Sequence, residues 1–152
     1  MTSITLTWAE IMLAGQVGTM RSVSSRKQGL NKAVHNVKSN WSNDFDGAAA
    51  EMAYAKYRNV YYEPSINTFK APDVAQDQIR STLHPNGKLL IRENDVLEER
   101  FILVICSSPI YRMAGWLWTS EAKKDEWFRP ADDTGAAAWW VPQNALRSME
   151  TL

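Results

Sequence analysis

The chain has 152 residues, 45% of them hydrophobic and 22% charged, with 17 basic and 17 acidic side chains that cancel. That is the composition of one ordinary globular domain, residues 1–152, with enough chain for a real core. It holds no apolar run long enough to span a membrane, and MTSITLTWAE lacks the basic-then-apolar pattern of a signal peptide. A cytoplasmic protein is the expectation, with Cys106 as a buried thiol inside the apolar run FILVIC.

Thr7-Trp8-Ala9-Glu10 has the form of a capping box. A helix is expected from about Trp8 to Val23, with Gly15 and Gly18 marking a close approach to another backbone. Ser24 to Asp44 is polar and reads as a long connection, anchored into the core by Trp41. Between Ile11 and Asn43 there is no acid, yet Arg21, Arg26, Lys27, Lys32, His35 and Lys38 lie there. Such asymmetry is a footprint of phosphate binding, and equally of a solvated basic loop.

A second helix is expected from Phe45 to Arg58, capped by Asp44 or Asp46. Gly47, Ala48, Ala49, Ala50, Ala53 and Ala55 make its surface small, so it can lie tight against a sheet. Glu51 sits among these residues and is expected to point inward, where a metal or Arg80 would compensate its charge.

Val60 to Tyr62 reads as extended, and Phe69-Lys70 as a strand leading to Asp73. Gln78–Leu83 and Lys88–Arg92 are two strands joined by His84-Pro85-Asn86-Gly87, whose Asn-Gly signals a hairpin. Phe101 to Cys106 is a continuous apolar run and reads as a central strand, with Tyr111 to Trp118 pairing back against it. A short helix over Glu121–Phe128, a strand over Ala138–Val141 and a terminal helix opened by Pro142 complete the chain. The seven tryptophans fall mostly in the last third and read as core, or alternatively as base-stacking groups. The fold class is α/β (α+β): a mixed central sheet flanked by helices.

Strand alternation puts Gln78 and Arg80 on one face and Ile79 in the core. With Asp73 just ahead of that strand and Glu51 on the preceding helix, oxygen donors and a cation converge on one strand end. This arrangement resembles the PD-(D/E)XK nuclease superfamily. The helix acid corresponds to Glu51, Pro-Asp to Pro72-Asp73 and the final triplet to Gln78-Ile79-Arg80, with Gln for the acid and Arg for the lysine. LTWAEIMLAGQVGTMR, DFDGAAAEMAYAKY, GKLLIREND, FILVICSSPIYRMAGWLW and WWVPQNAL also resemble a group of uncharacterised phage-type proteins.

The resemblance implies a restriction-endonuclease-like core and hydrolysis of phosphodiester bonds in nucleic acid, DNA in the first place. Glu51, Asp73 and Gln78 would hold Mg²⁺ or Mn²⁺, and Glu51, Asp73, Gln78 and Arg80 would form the catalytic set. Arg21, Arg26, Lys27, Lys32 and Lys38 would meet the phosphates. An arginine stabilises charge on a phosphate but does not act as a base. A nuclease-fold protein that has lost catalysis, and binds nucleic acid or a protein partner instead, is the alternative. A homodimer is compatible with either.

Overall fold

The computed structural model describes residues 2–29, 40–66 and 71–152. The elements are β1 (Thr2–Thr5), α1 (Trp8–Lys27), α2 (Asn40–Arg58), β2 (Asp77–Thr82), β3 (Leu89–Arg92), β4 (Arg100–Ser107), β5 (Ile110–Trp118), α3 (Thr119–Ala122), β6 (Phe128–Arg129) and β7 (Ala138–Val141). Three layers result. The helices α1 and α2 cover one face of a four-stranded mixed sheet ordered β1, β5, β4, β2. A separate three-stranded sheet, ordered β3, β7, β6, covers the other face.

The apolar run of β4 explains the layering. Ile102, Val104 and Cys106 belong to the core beneath the helices, while Phe101, Leu103 and Ile105 belong to the core between the sheets. A strand buried on both faces reads as continuous rather than alternating. Burial pushes the Cys106 thiol up to about 12, as suits an inert core residue.

Helix α1 starts where its capping box predicts: Thr7 N donates to Glu10 Oε2 at 2.6 Å and Glu10 N to Thr7 Oγ1 at 3.2 Å. Gly18 marks the close approach, since a Cβ there would lie 2.7 Å from the Phe45 backbone. Gly15 faces only the Phe45 ring, at ordinary contact distance. The small face of α2 buries Ala48, Ala49, Ala50, Ala53 and Ala55 completely or nearly so.

Several expectations are corrected. Residues 78–83 and 88–92 do not form a hairpin: β2 pairs parallel with β4, and β3 pairs antiparallel with β7. The turn does close, with Gly87 N donating to His84 O at 2.9 Å. It carries the chain to the next layer, because Leu89 and Ile91 are wholly buried in the core between the sheets. The sheet is therefore two sheets, with α1 and α2 on one face of the larger and the smaller sheet on the other.

Helix α2 begins at Asn40, ahead of the expected Phe45. Asp44 is then inside the helix, where it accepts from Ser22 Oγ at 2.5 Å and ties α2 to α1. Trp41 is 41% exposed rather than core, with the Arg26 guanidinium stacked 4.0 Å from its ring centre. The helix expected over Glu121–Phe128 is α3, then a 3₁₀ turn at Asp125–Trp127, then β6. Just past α3, Lys123 Nζ donates to the carbonyls of Glu93 and Asp95, at 2.8 and 3.1 Å. Val60–Tyr62 forms no regular element, and the strand expected at Phe69-Lys70 lies outside the described residues. The N-terminal strand β1, paired antiparallel with β5, was not anticipated. No helix among the described residues is long and apolar enough to cross a membrane.

Candidate functional site

A cleft of about 780 Å³ opens where α1, α2 and the start of β2 meet the turn after β3. Glu51, Asp73, Gln78 and Arg80 all line it. The tight turn at Val74–Asp77 places Asp73. Val74 N donates to Asp77 O at 3.1 Å and Asp77 N to Val74 O at 2.9 Å, with Ala75 at φ 55° in the left-handed region. The turn folds Asp73 back over its own strand, and Asp73 Oδ2 accepts the Ile79 backbone N–H at 2.7 Å. The β2 alternation is as expected: Ile79 is buried, while Gln78 and Arg80 face the cleft.

Glu51 points inward and is 7% exposed. Its partner is Arg21, not Arg80: Nη1 donates to Oε1 at 2.9 Å and Nη2 to Oε2 at 2.8 Å. Tyr62 Oη adds a third bond, to Oε2 at 2.9 Å. Arg21 Nε also donates to the Ser65 carbonyl at 2.8 Å, so this arginine is locked into the cleft wall. It is thus a cleft residue, not part of an exposed basic surface.

Arg80 is engaged elsewhere as well. Its Nη2 donates to both carboxylate oxygens of Asp95 at 3.0 Å, its Nε to Leu90 O at 3.2 Å, and its guanidinium lies 4.6 Å from the Phe101 ring centre. Gln78 Nε2 donates to Glu99 Oε1 at 3.2 Å, which leaves the amide oxygen as its ligand-type atom. Arg26 and Lys27 are exposed at the end of α1, and Lys32 and Lys38 lie outside the described residues.

Asp73 carries the electrostatic signature of the site. Burial, and next the charge of Glu51, raise its carboxyl from 3.8 to about 6, against the Ile79 N–H, Arg80 and Arg21, which lower it. Among the described residues lining the cleft there are three guanidiniums (Arg21, Arg80, Arg92) and five carboxylates (Asp44, Glu51, Asp73, Asp95, Glu99), two more acids than bases. Arg92, at the mouth, is pushed below the usual guanidinium value by desolvation and by Arg80. The Tyr62 hydroxyl is pushed up by burial and then by Glu51, so it stays a donor.

Among the described residues no three His, Cys, Asp or Glu side chains gather as a ready metal-ligand set. The cleft offers two carboxylates and an amide. This donor set suits a hard divalent cation that keeps several waters. A carboxylate has about four lone-pair positions, of which Arg21 and Tyr62 occupy three on Glu51. One lone-pair position of Glu51 is thus left without a donor among the described residues.

Sequence reasoning missed Asp95, Arg92, Glu99 and the role of Arg21. Asp95 had a local signal: it closes the turn after β3, accepting the Arg92 N–H at 2.7 Å, as an acid in an Asn-Asp turn often does. The pairing of Arg21 with Glu51 joins two helices and left no trace in local spacing. Behind the cleft, Asp77 is fully buried and accepts from Tyr54 Oη at 2.5 Å, Arg58 Nη1 at 3.1 Å and Arg100 Nε at 2.5 Å, joining α2, β2 and β4. No protein family, curated protein or solved structure matches the chain.

Proposed function

We infer that the protein is a metal-dependent nuclease of restriction-endonuclease-like fold that hydrolyses phosphodiester bonds of nucleic acid, DNA in the first place. The observation that carries this reading is Asp73: a largely buried carboxyl raised to about 6 beside Glu51, in a cleft whose described lining holds two more acids than guanidiniums. A site of that charge repels a phosphodiester unless a cation enters with it. Glu51, Asp73 and the Gln78 amide oxygen would hold Mg²⁺ or Mn²⁺. Such an ion polarises the phosphate and lowers the pKa of a bound water.

The chain's own groups supply the rest. Asp73, fixed by the Ile79 N–H, would be one of the carboxylates that hold the ion and so place its bound water. Arg21 and Tyr62 hold Glu51 in one orientation. Arg80, braced by Asp95 and Phe101, presents a fixed cation toward the phosphate, and Arg92 stands at the mouth. The test is incubation of the purified protein with single- and double-stranded DNA and RNA in Mg²⁺ or Mn²⁺. Cleavage that Asp73→Asn abolishes supports the reading, and intact substrates under every condition refute it.

One observation favours a second reading. Arg80 Nη2 is held by both carboxylate oxygens of Asp95, which withholds from the phosphate the cation that the resemblance makes catalytic. A protein that retains nucleic-acid affinity without cleavage would then be a binding module on a nuclease-like fold.

A further inference from the structure

The outward face of α1 is apolar and bare. Trp8 is 73% exposed, Met12 61%, Leu13 50%, Met20 59% and Val23 51%. An apolar stripe of this kind on a surface helix marks a protein contact. The inward face is already used: Ala14, Gly18 and Ser22 are buried against α2. At 3.6 residues per turn, Ala9, Met12, Gln16, Met20 and Val23 run along the opposite side, and Ala9 and Gln16 are exposed like the rest.

This seam is symmetric about its centre. Counting outward from Gln16, Met12 and Met20 lie four residues away on either side, and Ala9 and Val23 seven. We propose that the protein is a two-fold homodimer in which α1 packs antiparallel against α1 of a second copy, with the axis passing at Gln16. Met12 of each copy then meets Met20 of its mate, and small Ala9 makes room for Val23. The two Gln16 amides face each other, and an amide both donates and accepts, so it can pair with its own copy. A single polar residue in an apolar helical seam fixes register and orientation.

Charge selects the same arrangement. The first turn of α1 carries Glu10, and the last carries Arg26 and Lys27. Glu10 is paired with Lys56 on α2 at 2.9 Å, so it is the basic ends that discriminate: antiparallel pairing keeps them apart and opposes the helix dipoles. Parallel pairing would set the two basic ends together.

The experiment is sedimentation of the full chain from micromolar to several hundred micromolar, with helical content followed by circular dichroism. Wild type is expected to dimerise. Met20→Glu and Met12→Lys should each raise the dissociation constant by roughly tenfold or more, as for a central interface residue. Combined in one chain, the two substitutions should restore the dimer, because each lysine then meets a glutamate of the other copy.

Cross-linking gives a second measurement that needs no destabilising charge, since Cys106 is buried at 3% exposure. Gln16→Cys should oxidise readily to a linked dimer, the axis bringing the two positions within disulfide reach. Met12→Cys should not, because the two copies of that position are separated by about 12 Å along the helices. Three outcomes each overturn the proposal: a wild type monomeric throughout, a double variant no more dimeric than the single ones, or Met12→Cys linking as fast as Gln16→Cys.

Discussion

Replacing Asp73 by Asn tests whether the cleft holds an electrostatic burden that a cation relieves. Asp73 is an acid whose folded-state value, about 6, lies above its ordinary 3.8. Between those values the folded protein binds a proton that the unfolded chain has released. Stability therefore falls as pH rises from about 4 through 6, and the loss is complete above that range. At 1.36 kcal/mol per tenfold step, the cost of ionising Asp73 approaches 3 kcal/mol. Asn removes that cost and can still accept the Ile79 N–H, although a neutral acceptor is weaker by about 1 kcal/mol. Asp73→Asn is thus expected to stabilise the metal-free protein by about 1–2 kcal/mol at pH 8 and to be neutral or slightly destabilising at pH 4. Urea unfolding of both proteins at the two pH values measures this. Mn²⁺ at pH 8 should raise the melting temperature of wild type by mass action and leave that of the variant unchanged. A variant less stable than wild type at pH 8, with a wild type indifferent to Mn²⁺, would make Asp73 a structural ion-pair member and refute the reasoning.

Three further substitutions probe the supports of the cleft. Arg21→Met leaves Glu51 buried without its cation, so urea unfolding should show a loss of about 3–5 kcal/mol. Asp77→Ala strips the common partner from Arg58, Arg100 and Tyr54; a similar loss of about 3–5 kcal/mol is expected, read by thermal melts. Gly18→Ala gains about 1 kcal/mol of helix propensity but drives a methyl into the Phe45 backbone. A net destabilisation of about 1–3 kcal/mol follows from the overpacking, and a stabilised variant would show that the helices separate freely.

What the sequence made legible was local or periodic. The Thr7–Glu10 box, the buried alanine face of α2, the β4 run and the alternation at Gln78-Ile79-Arg80 each follow from spacing along one element. Those signals also bring Glu51, Asp73, Gln78 and Arg80 to one cleft. What failed was the choice of partner. Asn86-Gly87 announces a turn, and the turn forms, but which strand β3 joins is decided by burial of Leu89 and Ile91 on a surface supplied by distant residues. Glu51 needed compensation, and the sequence offered a metal or Arg80 for it. Only the packing of α1 on α2 assigns Arg21 to it, and only the turn after β3 delivers Asp95 to Arg80.

The double use of β4 bears on how the molecule comes apart. Its odd-numbered residues serve one core and its even-numbered ones the other, so neither core persists once this strand leaves. Partial unfolding that spares either the helical layer or the small sheet has no stable end point. The amide protons of Ile102 to Ile105 should then exchange with solvent only through complete unfolding, and at one common rate. The turn at Asp132–Gly135, closed by Asp132 N donating to Gly135 O at 3.0 Å, would open independently of that event. A chain of this size with two separate cores would ordinarily be expected to show two transitions; sharing one strand between them makes it a single cooperative unit.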